Sequence, residues 1–437
     1  MMTGNMEERW KSFRERIFRI EDSKDPQQEF NSLALEAFEI QRESCPVYRE
    51  YLNLVEKGDF HPASFEEIPF LPIRLFKSRN ILTDPSVQYE DYCRRMDLFR
   101  EKVAGDEIGL VFTSSATTGM TPSRHLVPDV SIYERSFREG FRLFYGESGT
   151  YNLLALLPSY LEREGSSLVY MADKLIADAK ENGAEGGFFL YDHDKLLETV
   201  KNLSAEGRLL QKSLPASSKP NPETWTSASC GKTRRRTILL GVSFALLDFA
   251  KFVAGHIPDV EERRLLFSDV TIMETGGMKG RGEELSREEL HRRLRDGFRT
   301  DEIHSEYGMC ELFSQAYSFP ATDLIQHHPT DLIQLSQSGM FFCPPWMRVL
   351  TRDLQDPFKI LSAGQDKHNF QEGGIDIIDL ANINSCCFIE TEDRGKILYG
   401  YQQNSCSSKG KKSIHPPFTV DGRIKDAELR GCNMLIE

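Results

Sequence analysis

At 437 residues the chain exceeds the usual size of a single domain, so one large domain or two linked ones are expected. A hydrophobic fraction of 39% and a charged fraction of 28% exclude a disordered chain, and no apolar run approaches the roughly 18 residues that span a bilayer. With a formal net charge of -13 the sequence lacks the basic balance that a nucleic-acid partner requires.

The opening, MMTGNMEERWKSFRERIF, is charged at once and has no apolar leader, which points to the cytosol. The nine cysteines are scattered without a CxxC pair, as expected of reduced thiols rather than structural zinc. From residue 5 to about 56, apolar side chains at helical spacing (Trp10, Phe13, Ile17, Phe30, Leu33, Phe38) predict two or three amphipathic helices. Their breaks fall at Asp25-Pro26 and Cys45-Pro46. Residues 1–67 thus read as a helical segment ahead of a larger domain over 68–437.

Segment 68–82 reads as extended, and GLVFTSSATTG as a strand ending in a hydroxyl-rich loop, with a helix opening near Ser131. Strand and helix then alternate: YNLLALLP, GGFFLYD, RTILLGVS and DVTIMETGG each precede a helical pattern. That rhythm predicts an α/β core with parallel pairing. Residues 212–236, 320–340 and 399–417 are polar and turn-rich and read as insertions; the run Arg234-Arg235-Arg236 reads as a solvated charge cluster. The last third, IDIIDLANINSCCFIETEDRGKIL, reads as strands.

Four stretches can carry chemistry. Thr113-Ser114-Ser115-Ala116-Thr117-Thr118-Gly119 offers five hydroxyls within six residues after a strand, enough to surround phosphate oxygens, yet it lacks the Walker spacing. In Tyr307-Gly308-Met309-Cys310-Glu311 an aromatic face suits a base and a carboxylate suits Mg²⁺. Thr391-Glu392-Asp393-Arg394-Gly395 can aim a carboxylate at ribose hydroxyls, and Asp421-Gly422-Arg423 adds a cation. Each alone is equally compatible with a surface loop, a turn or core packing. The His304-x-Glu306 pair lacks the PCxxC partner of a zinc deaminase.

Taken in order, these stretches resemble the motif series of adenylate-forming acyl and aryl ligases. Within that superfamily the chain is most similar to the acyl-protein synthetase family of bacterial bioluminescence, the fatty-acid-activating component of a long-chain aldehyde-forming reductase. The likeness runs from about residue 68 to the end and includes METGGMKGRGEEL, CPPWMRVLTRD and GRIKDAELRGCN.

The resemblance implies the large N-terminal domain of adenylate-forming enzymes, mixed sheets flanked by helices, with the mobile C-terminal domain largely absent. It implies that a carboxylic acid, of the fatty class, is activated with ATP and Mg²⁺ to an acyl-AMP, then passed to an enzyme cysteine. A protein such as a reductase or acyltransferase would take it from there. By position, Ser114, Ser115, Thr117, Thr118 and Gly119 would cradle phosphates, and Gly276 and Gly277 would line the adenine slot. Tyr307 would stack on the base, Glu311 hold Mg²⁺, Asp393 bind ribose, Arg423 reach the ribose or α-phosphate, and Cys432 carry the acyl group. Gly241 and Ser243 would face the acid.

The chain departs from the pattern at Ala116, where glycine is usual, at Cys310, where threonine is usual, and in the missing C-terminal lysine, for which Lys279 or Lys425 could stand in. Two other readings stay open: an acyl- or aryl-CoA ligase similar to phenylacetate-CoA ligase, and a non-catalytic nucleotide- or acyl-binding relative.

Overall fold

A computed structural model describes residues 4–83, 110–114, 121–157, 165–213, 235–276, 285–319, 339–361, 370–399 and 415–424. Helices Gly4–Arg16, Pro26–Ser44 and Pro46–Leu54 open the chain. Both expected breaks are present. Proline at a first helical position loses no hydrogen bond, and the Asp25 carboxylate accepts the Gln28 N–H at 3.1 Å. The apolar stripe of these helices, Phe13, Phe30, Leu33 and Phe38, is buried in the same core as the rest of the molecule.

The strands are β1 (Leu71–Pro72), β2 (Leu110–Thr113), β3 (Arg124–Val127), β4 (Tyr151–Leu156), β5 (Gly186–Phe188), β6 (Arg236–Val242) and β7 (Val270–Thr275). They continue as β8 (Ile303–Tyr307), β9 (Ala316–Ser318), β10 (Phe341–Phe342), β11 (Met347–Arg352), β12 (Phe370–Asp379), β13 (Phe388–Leu398) and β14 (Phe418–Arg423). All but β2 and β3 join one mixed sheet, ordered β11-β12-β13-β14-β10-β9-β8-β7-β6-β4-β5, with β1 parallel to β13. The β5-β4-β6-β7-β8 half is parallel. Its central strands are buried on both faces, which explains the near-continuous apolar runs in the sequence. From β8 to β11 the pairing is antiparallel.

Helices cover both faces of the parallel half. Neighbouring residues on a strand point to opposite sides. Ser305 meets His291 of helix Arg287–Phe298, whereas His304 meets Tyr145 of helix Val130–Tyr145. Because β5 lies on one side of β4 and β6 on the other, the strand order reverses beside β4, the topological point at which open parallel sheets generally bind ligands at their carboxyl ends. Gly241 pairs with Leu156 at that point.

Three expectations change. The segment 68–82 is not extended throughout, since Leu75–Ser78 forms a helical turn beyond Pro72. The hydroxyl-rich loop does not lead directly to the helix: β3 intervenes and pairs antiparallel with β2. The polar stretch 212–236 does not keep its expected bounds, since helix His193–Ser213 runs into it and Arg236 belongs to β6, although the Arg236 side chain stays solvent-exposed as expected. Arg235 donates to the Asn182 carbonyl at 2.6 Å, and Arg236 opens β6 and pairs with Glu302 at 3.2 Å.

Candidate functional site

Tyr307, Asp393 and Arg423 converge beyond the carboxyl end of β8. The antiparallel register places Asp393 of β13 opposite Arg423 of β14. Strand β14 can come this close because residue 395 is glycine; a Cβ there would lie 1.9 Å from the Thr419 carbonyl oxygen. The Tyr307 ring packs against Phe341 and Phe418, with both centroids at 5.5 Å, and its hydroxyl donates to Asp393 Oδ2 at 2.9 Å. Asp393 Oδ1 stands 4.0 Å from Arg423 Nε, a guanidinium whose side chain is 80% exposed. Burial pushes the Asp393 carboxyl above its ordinary range, while the Tyr307 hydroxyl and Arg423 pull it back. The result is a carboxylate with one oxygen held and the other turned toward an exposed cation.

Glu311 lies in the turn after β8 and is only 5% exposed. Burial raises its carboxyl above the usual range, opposed by a hydrogen bond from the Ser123 hydroxyl and by the charges of Lys77 and Arg423. Among the described residues no group of three or more His, Cys, Asp and Glu could hold a metal by itself. Glu311 could supply one carboxylate ligand to a Mg²⁺ only if other oxygens, such as those of a phosphate, completed the shell.

The remaining predicted residues divide by place. Ser114 follows β2, and its hydroxyl accepts the N–H of Ser123, the residue just before β3 and the hydrogen-bond partner of Glu311, at 2.9 Å. Ser115, Ala116, Thr117, Thr118 and Gly119 lie outside the described residues, as do Gly277, Lys279, Lys425, Arg430 and Cys432. Gly276 adopts φ +63°, a conformation that favours glycine, and its carbonyl accepts the Ser243 hydroxyl at 2.6 Å. Ser243 follows β6 and is buried, its hydroxyl also 3.2 Å from Glu274 Oε2. At Gly241 a Cβ would press on Leu246 and Leu156.

Several further polar side chains stand around the site, none of them given a role in the sequence reading. Glu274, fully buried on β7, faces Arg287 at 3.7 Å and His291 at 3.6 Å, and His291 reaches Ser305 at 3.1 Å. Burial raises the Glu274 carboxyl, but hydrogen bonds from His291 and Ser305 and the charge of Arg287 outweigh that and bring it below the ordinary range. On the opposite face of the sheet, Thr275 donates to Glu306, whose carboxyl burial pushes up to about 7. Asp379, His125 and Asn382 surround the turn that carries Glu311. A polar residue interrupting an apolar strand, as Asp379 does in IDIIDLAN, is the one sequence signal that could have pointed to them.

No protein-family model matches this chain, and no curated protein matches it.

Proposed function

We propose that the protein activates a carboxylic acid with ATP, forming an acyl-AMP, and passes the acyl group to a thiol. The observation carrying this reading is the meeting of Tyr307, Asp393 and Arg423. These are the key residues of three separate motifs, brought together by strand register, with Glu311 electrostatically linked to the same guanidinium.

On this reading Asp393 Oδ1 accepts a ribose hydroxyl, while Tyr307 fixes Asp393 and presents its remaining ring face to the base. Arg423, exposed and unencumbered by a close ion pair, meets the α-phosphate. Glu311 would hold Mg²⁺, which when bound neutralises phosphate charge. The carboxylate oxygen of the acid attacks the α-phosphorus, and the bond to the bridging oxygen breaks, so that pyrophosphate leaves. Lys77, which acts on Glu311 through space, adds positive charge where that leaving group departs. The acyl carbon, previously bonded to an oxide-like leaving group, now carries AMP. A thiolate displaces AMP to give a thioester.

The test is ATP–pyrophosphate exchange with Mg²⁺ over a series of acids from acetate to palmitate. Exchange that depends on one class of acid is expected. No exchange with any acid, in folded protein, would leave the non-catalytic binding reading in its place.

A further inference from the structure

The turn after β8 is fixed from outside at successive peptide groups. His125 Nδ1 lies 2.7 Å from the Cys310 carbonyl, and Asn382 Nδ2 donates to the Glu311 carbonyl at 2.8 Å. Asp379 accepts the N–H groups of Phe313 and Ser314 at 2.8 and 2.9 Å and the Ser314 hydroxyl at 2.6 Å. Asp379 and Asn382 bracket one 3-10 turn, Leu380–Asn382, between β12 and β13. Asp379 also accepts the Ala381 N–H at 3.2 Å, so the anchor is itself braced. All three anchoring side chains are buried.

Their orientations leave little freedom. The Asn382 amide nitrogen serves two carbonyls, those of Glu311 and Cys386 (2.9 Å), which forces its Oδ1 toward His125 Nε2, 3.0 Å away. The Cys310 carbonyl can only accept, so Nδ1 donates to it; Nε2 then faces the Asn382 side-chain oxygen, a second acceptor, and that contact is a hydrogen bond only when the ring is protonated. The ring is wedged between Phe76 (5.7 Å) and Phe313 (4.9 Å). His125 sits on β3, whose partner β2 ends at Thr113, the first residue of the hydroxyl-rich stretch.

We infer that His125 and Asn382 are positioning residues. They hold the Glu311 turn against the β2–β3 hairpin and the turn after β12, so that the Glu311 carboxylate keeps one orientation toward a metal–nucleotide ligand. The inference rests on the ATP reading above. It explains why a buried imidazole stands against the backbone carbonyl next to Glu311. Groups that orient a metal-holding carboxylate alter affinity without touching the ligand.

The test compares the wild type with His125→Phe, His125→Gln and His125→Asn. Mn²⁺ binding is read by water-proton relaxation in the presence of a non-hydrolysable ATP analogue, alongside exchange kinetics and thermal melting. Phenylalanine keeps the ring packing and removes the donor. Glutamine reaches past Cys310, whereas asparagine places an amide N–H near the Nδ1 position. Phe and Gln should weaken Mn²⁺ binding about 10-fold or more and raise KM for nucleotide while leaving KM for the acid unchanged. Asn should restore binding close to the wild type. Unchanged Mn²⁺ affinity in whichever of the Phe and Gln variants melts like the wild type overturns the inference. Equal losses in all three folded variants do so too. If the wild type itself binds no Mn²⁺–nucleotide, the ATP reading fails first and takes this inference with it.

Discussion

The Tyr307 hydroxyl donates to Asp393 across 86 residues of sequence, and this bond leaves Asp393 with one oxygen committed and one turned toward Arg423. Among the described residues Tyr307 is the one donor to this carboxylate, which is 13% exposed, so Oδ1 is open to a further donor. A vicinal diol would supply what it lacks.

Asp393→Ala should therefore lower kcat/KM for ATP by about 10- to 100-fold, the cost of hydrogen bonds to a charged group, with a much smaller effect on KM for the acid. Tyr307→Phe should move the same constant in the same direction by less, since Asp393 remains. Steady-state exchange with each substrate varied separately decides the matter. Equal changes for ATP and acid would make Asp393 a structural residue.

Glu311 separates function from stability. Its carboxyl is raised by burial, so the charged form costs the fold rather than supporting it. Glu311→Gln can still accept the Ser123 hydroxyl hydrogen bond and should melt no lower than the wild type at pH 8. Exchange should nevertheless fall about 100-fold, as when a preorganised electrostatic partner is lost. Near-wild-type exchange would remove Glu311 from the site.

Much of the parallel half was legible because buried parallel strands are apolar runs with capped helices between them. Asp129 caps Val130–Tyr145 and Ser286 caps Arg287–Phe298, each accepting a backbone N–H of the first turn. Strand β3 was hidden because RHLV begins with two polar residues, and His125 is buried for reasons that only tertiary contact supplies. The antiparallel half was legible as strands but not in its order. Strand β10 reaches its place between β9 and β14 through pairings such as Phe341 with Phe418, which no local pattern encodes. Arg236 is exposed, as a charge run suggests, but its place at the start of β6 and its pairing with Glu302 carry no local signal. In the site, Tyr307, Asp393 and Arg423 each sat in a motif. His125, Asn382 and Lys77 did not, since a buried anchor carries no spacing rule.

Glu306 predicts a pH effect with a definite sign. Burial lifts its folded pKa to about 7 from an ordinary 4.5, with the Thr275 hydroxyl pulling the other way and the charge of Glu274 adding to the rise. Stability from this group is thus complete below about pH 4.5 and is lost as the pH rises through 7. Glu306→Gln stays neutral and can still accept from Thr275. The variant should match the wild type near pH 4.5 and exceed it at pH 8 by at most about 3 kcal/mol. Urea unfolding at the two pH values measures this, and parallel pH profiles would show that Glu306 titrates normally.

The thiol step makes the most discriminating prediction. Cys45, Cys343, Cys386 and Cys387 are buried and Cys310 is nearly so, and in every case burial pushes the thiol above its ordinary pKa. A nucleophile must ionise, so these are poor acyl carriers. Cys432, two residues from Arg430, lies outside the described residues and holds the position that the family resemblance gives to the carrier. The two half-reactions need different groups: phosphorus is attacked by the acid's own carboxylate, and the thiolate enters only afterwards. Cys432→Ser should accordingly retain pyrophosphate exchange and lose hydroxylamine-sensitive labelling by a radioactive acid. Label that persists in the variant, or maps to Cys310 or Cys386, refutes the assignment. An unlabelled wild type that forms a thioester on added coenzyme A identifies a coenzyme A ligase, with the same adenylation site and a different acceptor.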